Sequence, residues 1–95
     1  MERRLDDDEI GVALSRLDGW ELANGKLRAE FVFSDFIKAM GFMVRSAFWA
    51  EHLNHHPEWC NVYNAVRVEL ETHDVGGISE LDFELAGKMN SLADR

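Results

Sequence analysis

Residues 34–54 constrain the fold more than any other stretch of the chain. Ser34 or Asp35 offers a helix N-cap, no proline interrupts the run, and it ends just before Pro57, the only proline and a residue that cannot continue a helix. Such a helix is roughly 30 Å long at 1.5 Å per residue. Its apolar residues do not keep to one stripe. Phe36, Met40, Met43, Ala47 and Ala50 form one row, Ile37, Val44 and Phe48 widen it, and Phe42, Trp49 and Leu53 carry it around the side. A helix this apolar needs cover on more than one side. In a chain of 95 residues, part of that cover is expected from a second subunit, in a homodimer or homotetramer. A sheet on one side and the terminal helices on the other would also suffice.

The flanks supply both kinds of element. Ile10, Ala13, Leu14 and Leu17 are spaced as one helical face, with an Asp ahead of them as N-cap, which predicts a first helix over residues 6–17. Asp18-Gly19 ends it. Residues 20–22 and 26–33 flank Asn24-Gly25, a pair suited to a tight hairpin turn, and in the second arm Leu27, Ala29, Phe31 and Phe33 alternate with Lys26, Arg28 and Glu30. Beyond Pro57, residues 58–63 and 65–72 read as a second antiparallel pair, clearest where Val66, Val68, Leu70 and Thr72 alternate with Arg67, Glu69 and Glu71. Gly76-Gly77 breaks the strand, and Ser79 with Asp82 resembles a capping box opening a last helix along Leu81, Leu85, Met89 and Leu92. The order is α-β-β-α-β-β-α. It predicts one α+β domain over residues 1–95, a four-stranded antiparallel sheet with three helices packed on one face.

Charge and composition remove several classes of function. The net charge is −8 and the basic residues are scattered, so the clustered Lys and Arg that grip a nucleic-acid backbone are missing. No segment approaches the ~20 apolar residues of a membrane span. The N-terminal MERRLDDDE has no apolar core and does not read as a signal peptide, so a cytoplasmic location is expected. The acidic run at residues 6–9 reads as a helix start, where carboxylates favour the positive end of the macrodipole, rather than as a metal site. Cys60 has no second cysteine to pair with, and its neighbours suggest packing.

All four histidines lie between residues 52 and 73. If the long helix persists through His56, Glu51 meets His55 at i, i+4, within reach for a carboxylate to orient an imidazole. His73 ends the last strand and reaches the same place if that strand pairs beside the helix end. Three readings stand side by side. The histidines are solvated at a helix end, or they hold a metal, or they move protons on an organic substrate. Against metal, the order Glu51-His52-x-x-His55 is not that of zinc proteases, and His55 and His56 diverge by about 100° on a helix. For the third reading Trp59 offers a flat wall, though an aromatic beside a strand start is equally a core residue.

At these residues the chain resembles the pterin-4a-carbinolamine dehydratase family. The resemblance is carried by EHLNHHPEW at residues 51–59, NVYN at 61–64, LETHD at 70–74 and GISELD at 77–82, with Gly19-Trp20 and FSDFIKAMGFM at 33–43 upstream. It implies the same four-stranded sheet with three helices. It also implies dehydration of 4a-hydroxytetrahydropterin to quinonoid dihydropterin, the recycling step after an aromatic amino acid hydroxylase, with no metal or redox cofactor. His55 and His73 carry over as the acid-base groups at the two faces of the ring, His56 as a substrate-binding and supporting residue of the catalytic set, and Glu51 as the partner of His55. Asn54, Pro57, Trp59, Glu71, Thr72 and Asp74 carry over as substrate contacts. Asn54 stands where relatives often have an acid, and Asp74 where Glu can stand. His52 has no carried-over role. Some members of the family also stabilise a transcription factor's dimer, which implies a protein-binding role as the alternative.

Overall fold

The computed structural model describes residues 2–95. Helix α1 (Asp7–Leu14) starts where the acidic run places it: Asp6 accepts the Glu9 N–H at 2.8 Å, and Glu9 Oε1 accepts the Asp6 N–H at 3.0 Å. Arg3 donates to both Glu9 oxygens, at 2.9 and 2.7 Å. Through that contact, and the Asp6 N–H after it, the Glu9 carboxyl is lowered to about 2. The helix is shorter than its apolar spacing predicts. After Leu14 the chain tightens into i→i−3 bonds, Arg16 N–H to Ala13 O and Leu17 N–H to Leu14 O, both 3.1 Å.

Strands β1 (Glu21–Ala23) and β2 (Lys26–Val32) form the first hairpin. Asn24 at φ 53° and Gly25 at φ 77° occupy the left-handed region that a two-residue hairpin turn needs. Strands β3 (Glu58–Val62) and β4 (Ala65–Leu70) form the second, and the sheet runs β1-β2-β4-β3, antiparallel throughout. The junction between hairpins pairs Leu27 with Leu70 and Phe31 with Val66. This aligns the two buried rows, Leu27-Ala29-Phe31 and Val66-Val68-Leu70, on one face. The opposite face carries Arg28, Glu30 and Arg67.

Helices α2 (Phe36–Leu53) and α3 (Glu80–Leu92) supply the cover. Phe42 is fully buried, with its ring 4.7 Å from Phe31 and 5.0 Å from Phe33. Each such side chain contributes about 1.5–3 kcal/mol by leaving water. The row of α2 that turns inward is Ala39, Phe42, Ser46 and Ala50, not the row led by Phe36 and Met40. Small residues at three of these positions let the helix approach its neighbours closely. Across the helix, Ile37 at 79 % exposure, Val44 at 57 % and Phe48 at 73 % have no cover from this chain. No helix among the described residues is long and apolar enough to cross a membrane.

Candidate active site

The site begins where α2 stops. Asn54 adopts φ 50°, ψ 44°, a left-handed cap in which the Asn54 N–H bonds back to Ala50 and Glu51 carbonyls, and the His55 N–H reaches Ala50 O at 2.9 Å. His55 and His56 therefore leave the helix. The expected Glu51–His55 pair does not form, because the i, i+4 relation ends with the helix. Glu51 instead meets His56, Oε1 to Nε2 at 2.5 Å, on the open surface.

His55 turns inward to a different carboxylate. Its Nε2 lies 2.5 Å from Asp82 Oδ1, with the His55 side chain 10 % exposed and Asp82 fully buried. Asp82 is the third residue of α3, in the capping box the sequence predicts with Ser79. Its other oxygen accepts the Ser79 N–H at 2.9 Å and the Thr72 hydroxyl at 2.8 Å. Ser79 Oγ then donates to Thr72 Oγ1 at 2.7 Å and accepts the Leu81 N–H at 3.2 Å. A carboxylate is acceptor-only, so three donors around Asp82 are mutually consistent only if His55 Nε2 carries its proton. Nδ1 is then the nitrogen left to exchange one. The helix start favours a negative group at this position as well.

His73 arrives from the other side. After β4, Thr72 bridges to Gly77, and the residues between make one 3₁₀ turn, His73–Val75, closed by Gly76 at φ 65°. His73 sits in that turn, 81 % exposed, with Nδ1 3.5 Å from Glu71 Oε1. A cavity of about 260 Å³ lies between the two elements. Asn54, His55 and His56 line it from the end of α2, and Glu71, Thr72, His73 and Asp74 line it from the end of β4. Glu2 and Leu81 complete the wall. The structure thus gathers three of the four histidines, and His52 stays outside, edge-on to Trp49.

Several expected residues lie elsewhere. Pro57 and Trp59 are not on this wall; Trp59 belongs to β3 and packs half-buried against the core. The alternation of β3 also turns Cys60 outward, so it is exposed rather than packed. Two residues were not legible as site residues. Asp82 showed only as a capping residue, and nothing in the sequence marked Glu2.

Known proteins similar to this chain match it over nearly its whole length. A profile described as pterin 4 alpha carbinolamine dehydratase matches residues 3–92. The chain belongs to that family. A relative from Solibacter usitatus is 50 % identical over 93 residues, spanning 98 % of each chain, and one from Chelativorans sp. is 56 % identical over 93 residues, spanning 96 % of this chain and 95 % of the other. Both carry the provisional name pterin-4-alpha-carbinolamine dehydratase. A crystal structure from Brucella melitensis, described as a transcriptional coactivator/pterin dehydratase, superposes with a TM-score of 0.93 at 47 % identity, covering 96 % of this chain and 99 % of that one.

Proposed function

We propose that this chain dehydrates a 4a-hydroxytetrahydropterin to the quinonoid dihydropterin, with His55 and His73 moving the protons. The observation that carries this reading is one cavity walled on one side by His55, locked to buried Asp82, and on the other by exposed His73. Its volume, about 260 Å³, lies just below the ~300 Å³ at which pockets for drug-sized ligands begin, a scale suited to one bicyclic ring.

The reaction balances with protons alone. The N5 electron pair forms the C4a=N5 double bond, the C4a–O bond breaks, the departing oxygen takes a proton to leave as water, and N5 gives up its own proton. One imidazole donates and the other accepts, an assistance of about 10²- to 10⁴-fold in each general acid-base role. Asp82 fixes the tautomer and tilt of His55. His56, held by Glu51, and Asn54, Glu71, Thr72 and Asp74 offer polar contacts to the ring edge. Pro57 and Trp59 act on the substrate only indirectly, by setting the turn and the start of β3. The test is the rate at which chemically prepared 4a-hydroxytetrahydropterin loses water with and without the protein. A rate equal to the buffer blank removes the reading.

The uncovered side of α2 supports self-association in a homodimer or homotetramer, with Ile37 and Phe48 at its centre. The same surface, together with the coactivator description of the Brucella structure, favours a protein-binding role as the second reading. Sedimentation of the wild type against Phe48→Asp separates association from its absence, and a single monomeric species for both removes this part. Residues 1–95 act as one dehydratase-like domain, and its substrate is taken from the cytoplasm.

A further inference from the structure

We propose that Glu58, Glu71 and His73 form a site for a divalent transition-metal ion, zinc by its donor set, and that an ion bound there withdraws His73 from the cavity. Glu58 opens β3, Glu71 follows β4 and His73 begins the 3₁₀ turn, so three separate points of the chain converge. One ligand atom from each lies within 4.8 Å of the other two. Donors around a four-coordinate zinc stand roughly 3.4 Å apart, for bonds of about 2.1 Å. The Glu58 and His73 side chains are exposed and so have room to rotate towards a shared ion.

A cation already occupies the corner. Lys26 Nζ stands 3.0 Å from Glu58 Oε1. Its ammonium is held above the ordinary value, first by the bond to Glu58, then by the charges of Glu58, Glu71 and Glu69. Lys26 is the tethered competitor of a free ion. Once it swings aside, two carboxylates neutralise a divalent charge, the imidazole supplies nitrogen, and water fills the remaining position. That mixture suits zinc, whereas calcium and magnesium prefer oxygen ligands throughout and gain little from an imidazole nitrogen. Metal holds the imidazole unprotonated, so His73 can no longer exchange a proton with a substrate. The site rests on donor geometry alone; the loss of rate rests also on the role proposed above for His73.

The test is a zinc titration of tag-free protein near neutral pH, read by calorimetry, with magnesium as control. One zinc per chain is expected and no magnesium. Glu58→Gln should weaken zinc by on the order of tenfold or more, since loss of a ligand exceeds the 10–100-fold lost with an outer partner. Lys26→Gln should tighten it by on the order of tenfold or more, the effect of one unit charge on a divalent ion at ~5 Å in water, and Cys60→Ser should leave it unchanged. In the dehydration assay zinc should stop the wild type, while Glu58→Gln keeps the metal-free rate and resists. No bound zinc, or equal affinity in Glu58→Gln, overturns the site. Zinc bound in the expected pattern to an enzyme that runs undiminished supports the site and overturns the withdrawal of His73. A wild type that binds zinc in that pattern yet never dehydrates the pterin supports the site and refutes the dehydratase reading alone.

Discussion

Replacing Asp82 with asparagine changes one oxygen into an NH₂ without changing the shape of the side chain. Asp82 is fully buried and accepts from His55 Nε2 at 2.5 Å on one oxygen, and from Thr72 Oγ1 and the Ser79 N–H at 2.8 and 2.9 Å on the other. An amide keeps an acceptor on only one side. The Ser79 N–H cannot reverse its polarity, so the amide oxygen stays with Ser79 and Thr72, and the NH₂ faces His55. His55 must then move its proton to Nδ1. A hydrogen bond to a charged group contributes about 1.5–3 kcal/mol and a neutral one about 1 kcal/mol, so the exchange costs about 1 kcal/mol. At about 4–8 °C per kcal/mol for a domain of this size, the melting temperature should fall by about 4–8 °C. The rate should fall further than stability explains. Nδ1 now holds a proton where a free electron pair was available, and the charged partner that stabilised the imidazolium has gone, which together forfeit about 10²- to 10⁴-fold. Circular dichroism melts and the dehydration rate, taken well below the variant's melting point, measure both. An Asp82→Asn protein with wild-type melting temperature and rate would refute the reasoning.

Four further outcomes follow from the same structure. His55→Ala should lower stability as well as rate, because it leaves a buried carboxylate short of one donor, a cost of about 1–3 kcal/mol readable in urea; a fully stable variant would contradict the pairing. Ser46 Oγ is buried with no hydrogen-bond partner among the described residues, so Ser46→Ala should raise stability by about 1 kcal/mol, seen as a higher melting temperature. Asn54 at φ 50° makes Asn54→Gly neutral for folding and Asn54→Val costly by about 1–2 kcal/mol; equal melts for the two would deny the left-handed cap. The Glu9 carboxyl, lowered to about 2 chiefly by Arg3, contributes stability that is whole above the ordinary carboxylate range and is lost as pH falls through about 2. An NMR titration of Glu9 should show that low midpoint, and Arg3→Gln should return it towards 4.5.

Local chemistry made much of this fold legible. Asn24-Gly25 announced its hairpin, Asp6 and Ser79 announced two helix starts, and the alternation in β2 and β4 assigned the faces correctly. What the sequence could not display were relations between distant residues. The β2–β4 junction that orders the sheet joins two hairpins across the whole of α2, and no local pattern specifies it. The error at Glu51 has a definite source. Periodicity carries a helix through any polar residue, and Asn54 is helical by spacing but left-handed in fact, so one residue's backbone exchanged the partners of His55 and His56. Asp82 was visible as a cap because that role lies within four residues. Its second role, holding a histidine 27 positions earlier, depends on α3 docking against the end of α2. In α2 itself, apolar content announced burial on several sides, but only packing could decide that Ala39, Phe42 and Ser46 turn inward while Ile37 and Phe48 do not.

His73 offers the cleanest test of the two-sided proton transfer, because its side chain is 81 % exposed and its ion-pair contact, with Glu71 at 3.5 Å, is a long one. His73→Gln should therefore leave the melting temperature where it is while slowing dehydration of 4a-hydroxytetrahydropterin by about 10²- to 10⁴-fold. A His73→Gln protein that melts like the wild type and dehydrates the pterin at the wild-type rate would contradict the account.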